Sequence, residues 1–223
     1  MRVVVNAAMS VDGKLSHRRR KQVVISGDDD FDRMDAIRAE NDAVMVGAGT
    51  VVADDPSLTV DDPDRRAARE ARGVPENPAR IVADSHARCP RESQVFDDRA
   101  HTYLLVTESA HPVRIRKLER EGVTVIVAGE DRVNLTAAFD ALADHGIESI
   151  MVEGGGELIF SLFEEGLVDE LTVFVGSLII GGREAPTLAD GEGFVAGFPR
   201  LELTDVQRMD DGVVLSYVPE TTQ

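Results

Sequence analysis

Three consecutive glycines, Gly154, Gly155 and Gly156, follow Glu153 at the end of the apolar run "SIMVE" and precede the helix-like stretch "ELIFSLFEEG". A glycine-rich loop feeding a helix presents unpaired backbone N–H groups and lets a phosphate or pyrophosphate approach where a Cβ would obstruct it. A tight strand-to-helix turn alone needs one glycine or two, so the run of three points to a ligand close to the backbone. Glu153, at the carboxyl end of its strand, is expected to face the crevice in which open α/β sheets bind ligands.

A second glycine turn lies in "DAVMVGAGTVVADDPSLTV", Asp42 to Val60. A dinucleotide fingerprint would read G-x-G-x-x-G, but after Gly47 and Gly49 the third position is Val52, so this is not the Rossmann signature. The stretch offers instead a strand, a small-residue turn, Thr50 as an N-cap or phosphate contact, and the acid pair Asp54–Asp55 locked by Pro56. A third site candidate is "NAAMSVDGK", a strand running into a D-G turn and Lys14. The densest positive charge is "HRRRK", His17 to Lys21, and Arg38 on the next helix could add a further cation for an anionic substrate.

These residues need a scaffold. Short β-branched runs ("RVVVNAAM", "DAVMVG", "ARIVADS", "HTYLLVT", "VTVIVAG", "IESIMVEGG") alternate with helix-like stretches, which predicts a largely parallel sheet flanked by helices. "AVMVG", "TVIVA" and "SIMVE" are apolar nearly throughout, as in strands covered on both faces. The last segment, "LELTDVQRMDDGVVLSYV", reads as two strands around a "DDG" turn, so the sheet should end in an antiparallel hairpin. Ser26 is placed to cap the helix of "DDDFDRMDAIRAEN", and Gly122, Gly146 and Gly166 fall where helices end in a left-handed residue. The polar stretch from Asp61 to Pro78 reads as a surface excursion. No linker divides the chain, so a single domain over residues 1–223 is expected.

Composition narrows the function. The chain has 223 residues, 43% of them hydrophobic, and a formal net charge of −17, with Lys14, Lys21 and Lys117 its only lysines. Such an acidic surface repels nucleic acid and anionic membranes and suits a protein kept soluble in concentrated salt. The single cysteine, Cys89, excludes an intrachain disulfide and a cysteine-rich metal site, and its surroundings read as those of a bystander. No metal is expected. Neither a signal-like segment nor an apolar run of membrane-spanning length stands out, so the expected location is the cytoplasm.

Taken in order, "AMSVDGK", "ISGDDDFDRMDAIRAENDAVMVGAGTVVADDPSLTV", "RIVADS" and "MVEGGGELIFSLFEEGLVDELTVFVGSLIIGG" resemble the reductase family of riboflavin biosynthesis, most closely its stand-alone archaeal and fungal members, and are similar to the C-terminal half of the bacterial bifunctional deaminase/reductase. The deaminase signatures H-x-E and P-C-x-x-C are absent. The resemblance implies a dihydrofolate-reductase-like α/β fold, a homodimer, NADPH as cofactor, and reduction of a phosphorylated ribosylamino pyrimidine to its ribitylamino form. It implies cofactor contacts at Thr50, Asp54, Ala83, Asp84, Ser85, Val127 and the Gly154, Gly155, Gly156, Glu157 loop. It further implies substrate contacts at Lys14, Arg38, Leu58 and Glu153, with Lys14 and Glu153 closest to the chemistry. Asp61 stands where many relatives carry a basic residue, which shifts phosphate binding toward Arg38 and the Arg18 to Lys21 cluster. Two other readings fit the same motifs: a dihydrofolate or pteridine-type reductase of the same fold, and a non-catalytic nucleotide-binding regulatory module.

Overall fold

Most apolar β-branched runs form strands, and the computed structural model describes residues 1–220; residues 221–223 of the expected single domain lie outside the described residues. The described residues group into two compact units, each assembled from separate stretches of chain.

The first unit comprises Met1 and Asp35–Met151. It holds β2 (Ala43–Gly47), α2 (Ala48–Asp54), α3 (Pro63–Ala71), β3 (Ala79–Ala83), β4 (Thr102–Val106), α4 (Pro112–Arg120), β5 (Thr124–Val127) and α5 (Leu135–Asp144). The four strands run parallel in the order β5-β4-β3-β2, with Gly47 opposite Ala83, Ala83 opposite Leu105 and Val106 opposite Val127. All four therefore release the chain at one edge. Val44, Val46, Val51, Leu58, Val82 and Leu104 form one buried cluster. Each such side chain contributes about 1.5–3 kcal/mol by leaving water.

The segment from Asp61 to Pro78 is a largely exposed excursion, and it carries a helix that the sequence reading did not anticipate, α3. The Asp62 side chain accepts from the Asp64 and Arg65 amides, and Pro63 occupies the first turn, where its missing N–H is harmless. Buried Arg69 then donates to the carbonyls of Pro75, Ala39 and Asn41 at 2.8–2.9 Å. A helix with little apolar surface thus docks through its guanidinium groups. Arg80, wholly buried on β3, works similarly: it donates to the Ser57 and Asp97 carbonyls at 2.9 and 3.1 Å and pairs with the Asp97 carboxylate at 2.8 Å. Burial lowers the Arg80 pKa, and its hydrogen bond to the Asp97 carboxylate opposes that shift.

The second unit comprises Arg2–Met34 and Val152–Gln223, described to Glu220. It holds β1 (Arg2–Ser10), α6 (Gly156–Glu164), β7 (Glu170–Gly176), β8 (Leu201–Met209) and β9 (Gly212–Pro219). Strands follow the order β1-β7-β9-β8; β1 and β7 are parallel, while β9 is antiparallel to both its neighbours. The C-terminal hairpin expected from "DDG" is present, with Asp210 left-handed at φ 49°. β7, flanked on both sides, is a core strand. Two elements, α1 (Asp28–Glu40) and β6 (Ser149–Gly154), begin in one unit and end in the other.

Ser26 does not cap α1. The Asp210 carboxylate does so, accepting from the amides of Gly27, Asp29 and Asp30 at 3.0, 3.3 and 3.1 Å. Gly122, Gly146 and Gly166 are left-handed after α4, α5 and α6, as their positions predicted. Among the described residues no helix is long and apolar enough to cross a membrane, and no cluster of His, Cys, Asp and Glu could hold a metal.

Candidate functional site

In the first unit the candidate residues gather where β2, β3 and β5 end. The chain turns from β2 directly into α2, whose N-cap is Gly47, with no side-chain cap and no acid in the first turn. Thr50 therefore is not the N-cap; it lies inside the first turn, half-buried. A Cβ built on Gly49 would meet nothing within 4 Å. Packing does not require that glycine. Asp54 is the last residue of α2 and is exposed. Its neighbour Asp55 is left-handed at φ 45° and accepts the Gln94 amide at 2.8 Å, which ties the acid pair to the 3-10 turn Gln94–Phe96.

Leu58 adopts a left-handed backbone (φ 55°) and is fully buried in the apolar cluster. Its flanking carbonyls are held from below: Ser57 accepts from Arg80, and Thr59 accepts from buried Arg38 at 2.9 Å. Both guanidiniums fix the segment that follows α2. At the end of β3, Ala83 and Ser85 are half-buried and Asp84 is buried. One Asp84 oxygen accepts the Cys89 amide at 2.7 Å; the other makes no hydrogen bond and lies 3.7 Å from the Arg88 guanidinium. The Ser85 carbonyl accepts the Thr107 amide and hydroxyl. Burial and the neighbouring Asp84 carboxylate push the Cys89 thiol far up, so it stays protonated and inert. Val127, where β5 ends, is 54% exposed, an unusual place for an apolar side chain in this unit's strands.

In the second unit Glu153 is half-buried at the end of β6, and Gly154 adopts φ +121°, which only glycine tolerates. The Gly154–Gly155 peptide is cis. Gly155 is the N-cap of α6 and supplies no side-chain cap. Gly156 answers a different need: a Cβ there would stand 2.3 Å from the Thr187 carbonyl and 2.9 Å from an Asp190 carboxylate oxygen. Asp190 in turn accepts from the Thr187 amide and hydroxyl, and its own amide donates to the Gly156 carbonyl. One of the three glycines therefore makes room for the chain itself. Glu157 is exposed in the first turn of α6.

Lys14 is half-buried; its amide donates to the Ser10 hydroxyl oxygen at 3.0 Å and its ammonium to the Ala185 carbonyl at 3.2 Å. The Ser10 hydroxyl donates to Asp12 at 2.6 Å, and Asp12 also accepts the amides of Ile180 and Gly181 at 3.0 and 2.8 Å. Those bonds, the Ser10 hydroxyl first, hold the Asp12 carboxyl down at about 2. Sequence reasoning missed Ser10, Asp12, Thr187 and Asp190 as a set. The D-G turn was legible, but Asp12 and Ile180 are 168 positions apart and nothing local signals the pair. His17 to Lys21 forms a largely exposed loop with Arg20 left-handed.

Caps separate the helices into two groups. α3, α4 and α5 begin on side-chain acceptors, Asp62, His111 and Asn134, whereas α2 and α6 begin on bare glycines. Each of these two starts leaves first-turn backbone N–H groups without a side-chain acceptor.

A family model described as the RibD C-terminal domain matches residues 1–215. The chain is 41% identical over 214 residues, covering 96% of both chains, to a protein of Archaeoglobus fulgidus named 2,5-diamino-6-ribosylamino-4(3H)-pyrimidinone 5′-phosphate reductase. A protein of the same name from Methanothermobacter thermautotrophicus is 42% identical over 217 residues, again with 96% of each covered. Among solved structures, a pyrimidine reductase-like protein of Corynebacterium diphtheriae superposes with a TM-score of 0.86 at 23% identity, over 99% of this chain and 92% of that one. That likeness concerns the fold, a dihydrofolate-reductase-like α/β arrangement.

Proposed function

The chain belongs to the RibD C-terminal domain family, and from that premise we propose that it reduces 2,5-diamino-6-(5-phosphoribosylamino)pyrimidin-4(3H)-one to the ribitylamino 5′-phosphate in riboflavin biosynthesis. The observation that carries the reading is identity above 40% over 96% of both chains with two reductases of that name. The family implies a nicotinamide cofactor, and NADPH is the form proposed here. Its role when bound is to deliver hydride from the nicotinamide C4.

The protein's share is binding, orientation and proton placement. In the first unit Thr50, Asp54, Ala83, Asp84, Ser85 and Val127 are the proposed cofactor contacts; in the second, Gly154, Gly155, Gly156 and Glu157. Arg38 and Leu58 act on the substrate side by shaping the backbone from Ser57 to Thr59, since both side chains are buried. The substrate's glycosylamine would open to an imine as its ring oxygen gains a proton and its nitrogen loses one, and reduction at sugar C1 would return a proton to that nitrogen. Glu153 orients the opened sugar or exchanges that proton. Lys14, steadied through Ser10 and Asp12, holds a sugar hydroxyl or phosphate oxygen.

The two units act together as one reductase domain, and the working form is a homodimer in the cytoplasm. Support for a dimer comes from β8, an edge strand of nine residues exposed along almost its whole length, with Leu203 50% and Val206 56% accessible. The acidic composition supports adaptation to high salt. The test is optical: NADPH oxidation in concentrated salt with the ribosylamino pyrimidine phosphate, beside NADH and dihydrofolate. Oxidation that depends on the pyrimidine substrate is expected; oxidation with dihydrofolate alone would replace this reading with a folate-type reductase.

A further inference from the structure

A cavity of about 300 Å³ in the first unit is lined by Cys89, Arg91, Arg114, Lys117 and Leu118. Acidic residues outnumber Lys and Arg by 41 to 24 in this chain, yet three cations stand around this one hollow. Arg114 and Lys117 are three positions apart on α4, so they share a helix face, where like charges repel unless an anion lies between them. Arg114 already donates to the Cys89 carbonyl at 3.2 Å, and Arg91 pairs with Glu121. Lys117 makes no hydrogen bond or ion pair among the described residues. The cavity's apolar lining, buried Leu118 and the neutral thiol of Cys89, offers no charge of its own.

We propose that this cavity is a phosphomonoester site, in which Lys117 and Arg114 bind the phosphoryl dianion and Arg91, shared with Glu121, closes the rim. Its volume suits a phosphoryl group carrying a sugar-sized body. Two sources share that chemistry: the ribose 2′-phosphate of NADPH, which rests on the reductase reading and would make this cavity select NADPH over NADH, and a free phosphorylated metabolite, which does not.

The test is calorimetric titration with inorganic phosphate at fixed ionic strength, on the wild type and on Lys117→Gln and Arg114→Gln, with thermal midpoints as a folding control. Lys117→Gln removes no hydrogen bond or ion pair among the described residues, so it should fold normally and bind phosphate roughly tenfold more weakly, the effect of losing one charged hydrogen bond. Titrations with NADP⁺ and NAD⁺ identify the source. A tenfold loss for NADP⁺ with NAD⁺ unchanged assigns the cavity to the cofactor; weakened phosphate with both dinucleotides unchanged assigns it to a free phosphomonoester. Phosphate affinity equal in wild type and Lys117→Gln, or no saturable phosphate binding at all, overturns the proposal. None of these readings needs turnover, so failure of the reductase assay leaves them interpretable.

Discussion

Helices α2 and α6 start on bare glycines, while α3, α4 and α5 start on Asp62, His111 and Asn134, and on the proposed function the contrast divides ligand-facing helix starts from structural ones. A side-chain cap satisfies an orphan amide within the protein and contributes about 1 kcal/mol to folding. A helix start left bare forgoes that stabilisation and keeps its amides available to something else. In this chain the bare starts directly follow the ends of β2 and β6, and the carboxyl ends of strands are where open α/β sheets hold their ligands.

The contrast can be broken at several points. The largest effect is expected beside α6: Glu153→Gln should lower kcat by about a hundredfold or more, the range of a lost acid–base group. Wild-type turnover at saturating substrate would remove Glu153 from the chemistry. Gly156→Ala comes next, because its Cβ would stand 2.3 Å from the Thr187 carbonyl. Displacement of the Thr187–Asp190 strap should lower kcat/KM by roughly a hundredfold and also the unfolding midpoint. Gly49→Ala sharpens the comparison, since its Cβ meets nothing within 4 Å. It should leave stability unchanged or slightly raised, while the KM for NADPH rises roughly tenfold as phosphate loses its approach. An unchanged KM would dissociate α2 from the cofactor. The smallest effect belongs to the capped group: Asn134→Ala should cost about 1 kcal/mol by denaturant titration and leave both kinetic constants alone.

What the sequence made legible follows the same division between local and distant partners. The strands could be read because runs such as "AVMVG" and "TYLLV" are buried nearly throughout, and the hairpin because "DDG" needs a left-handed residue, which Asp210 supplies. The glycine turns after β2 and β6 were legible for the same local reason. α3 was not, because its docking depends on Arg69 reaching carbonyls up to 30 positions away instead of on an apolar face. Distance hid more: Asp210 caps a helix about 180 residues earlier, and Asp12 braces a loop 168 residues later. Leu58 shows a further limit. The family resemblance implies that it shapes or contacts the substrate; its side chain is wholly buried, so any influence runs through the backbone it fixes.

The most direct measurement is isotope transfer. Single-turnover reduction with NADPH deuterated at both nicotinamide C4 positions, read by NMR of the product, should place one deuterium on C1 of the ribityl chain. A folded protein that binds this cofactor and yields unlabelled product, or none, would contradict the account.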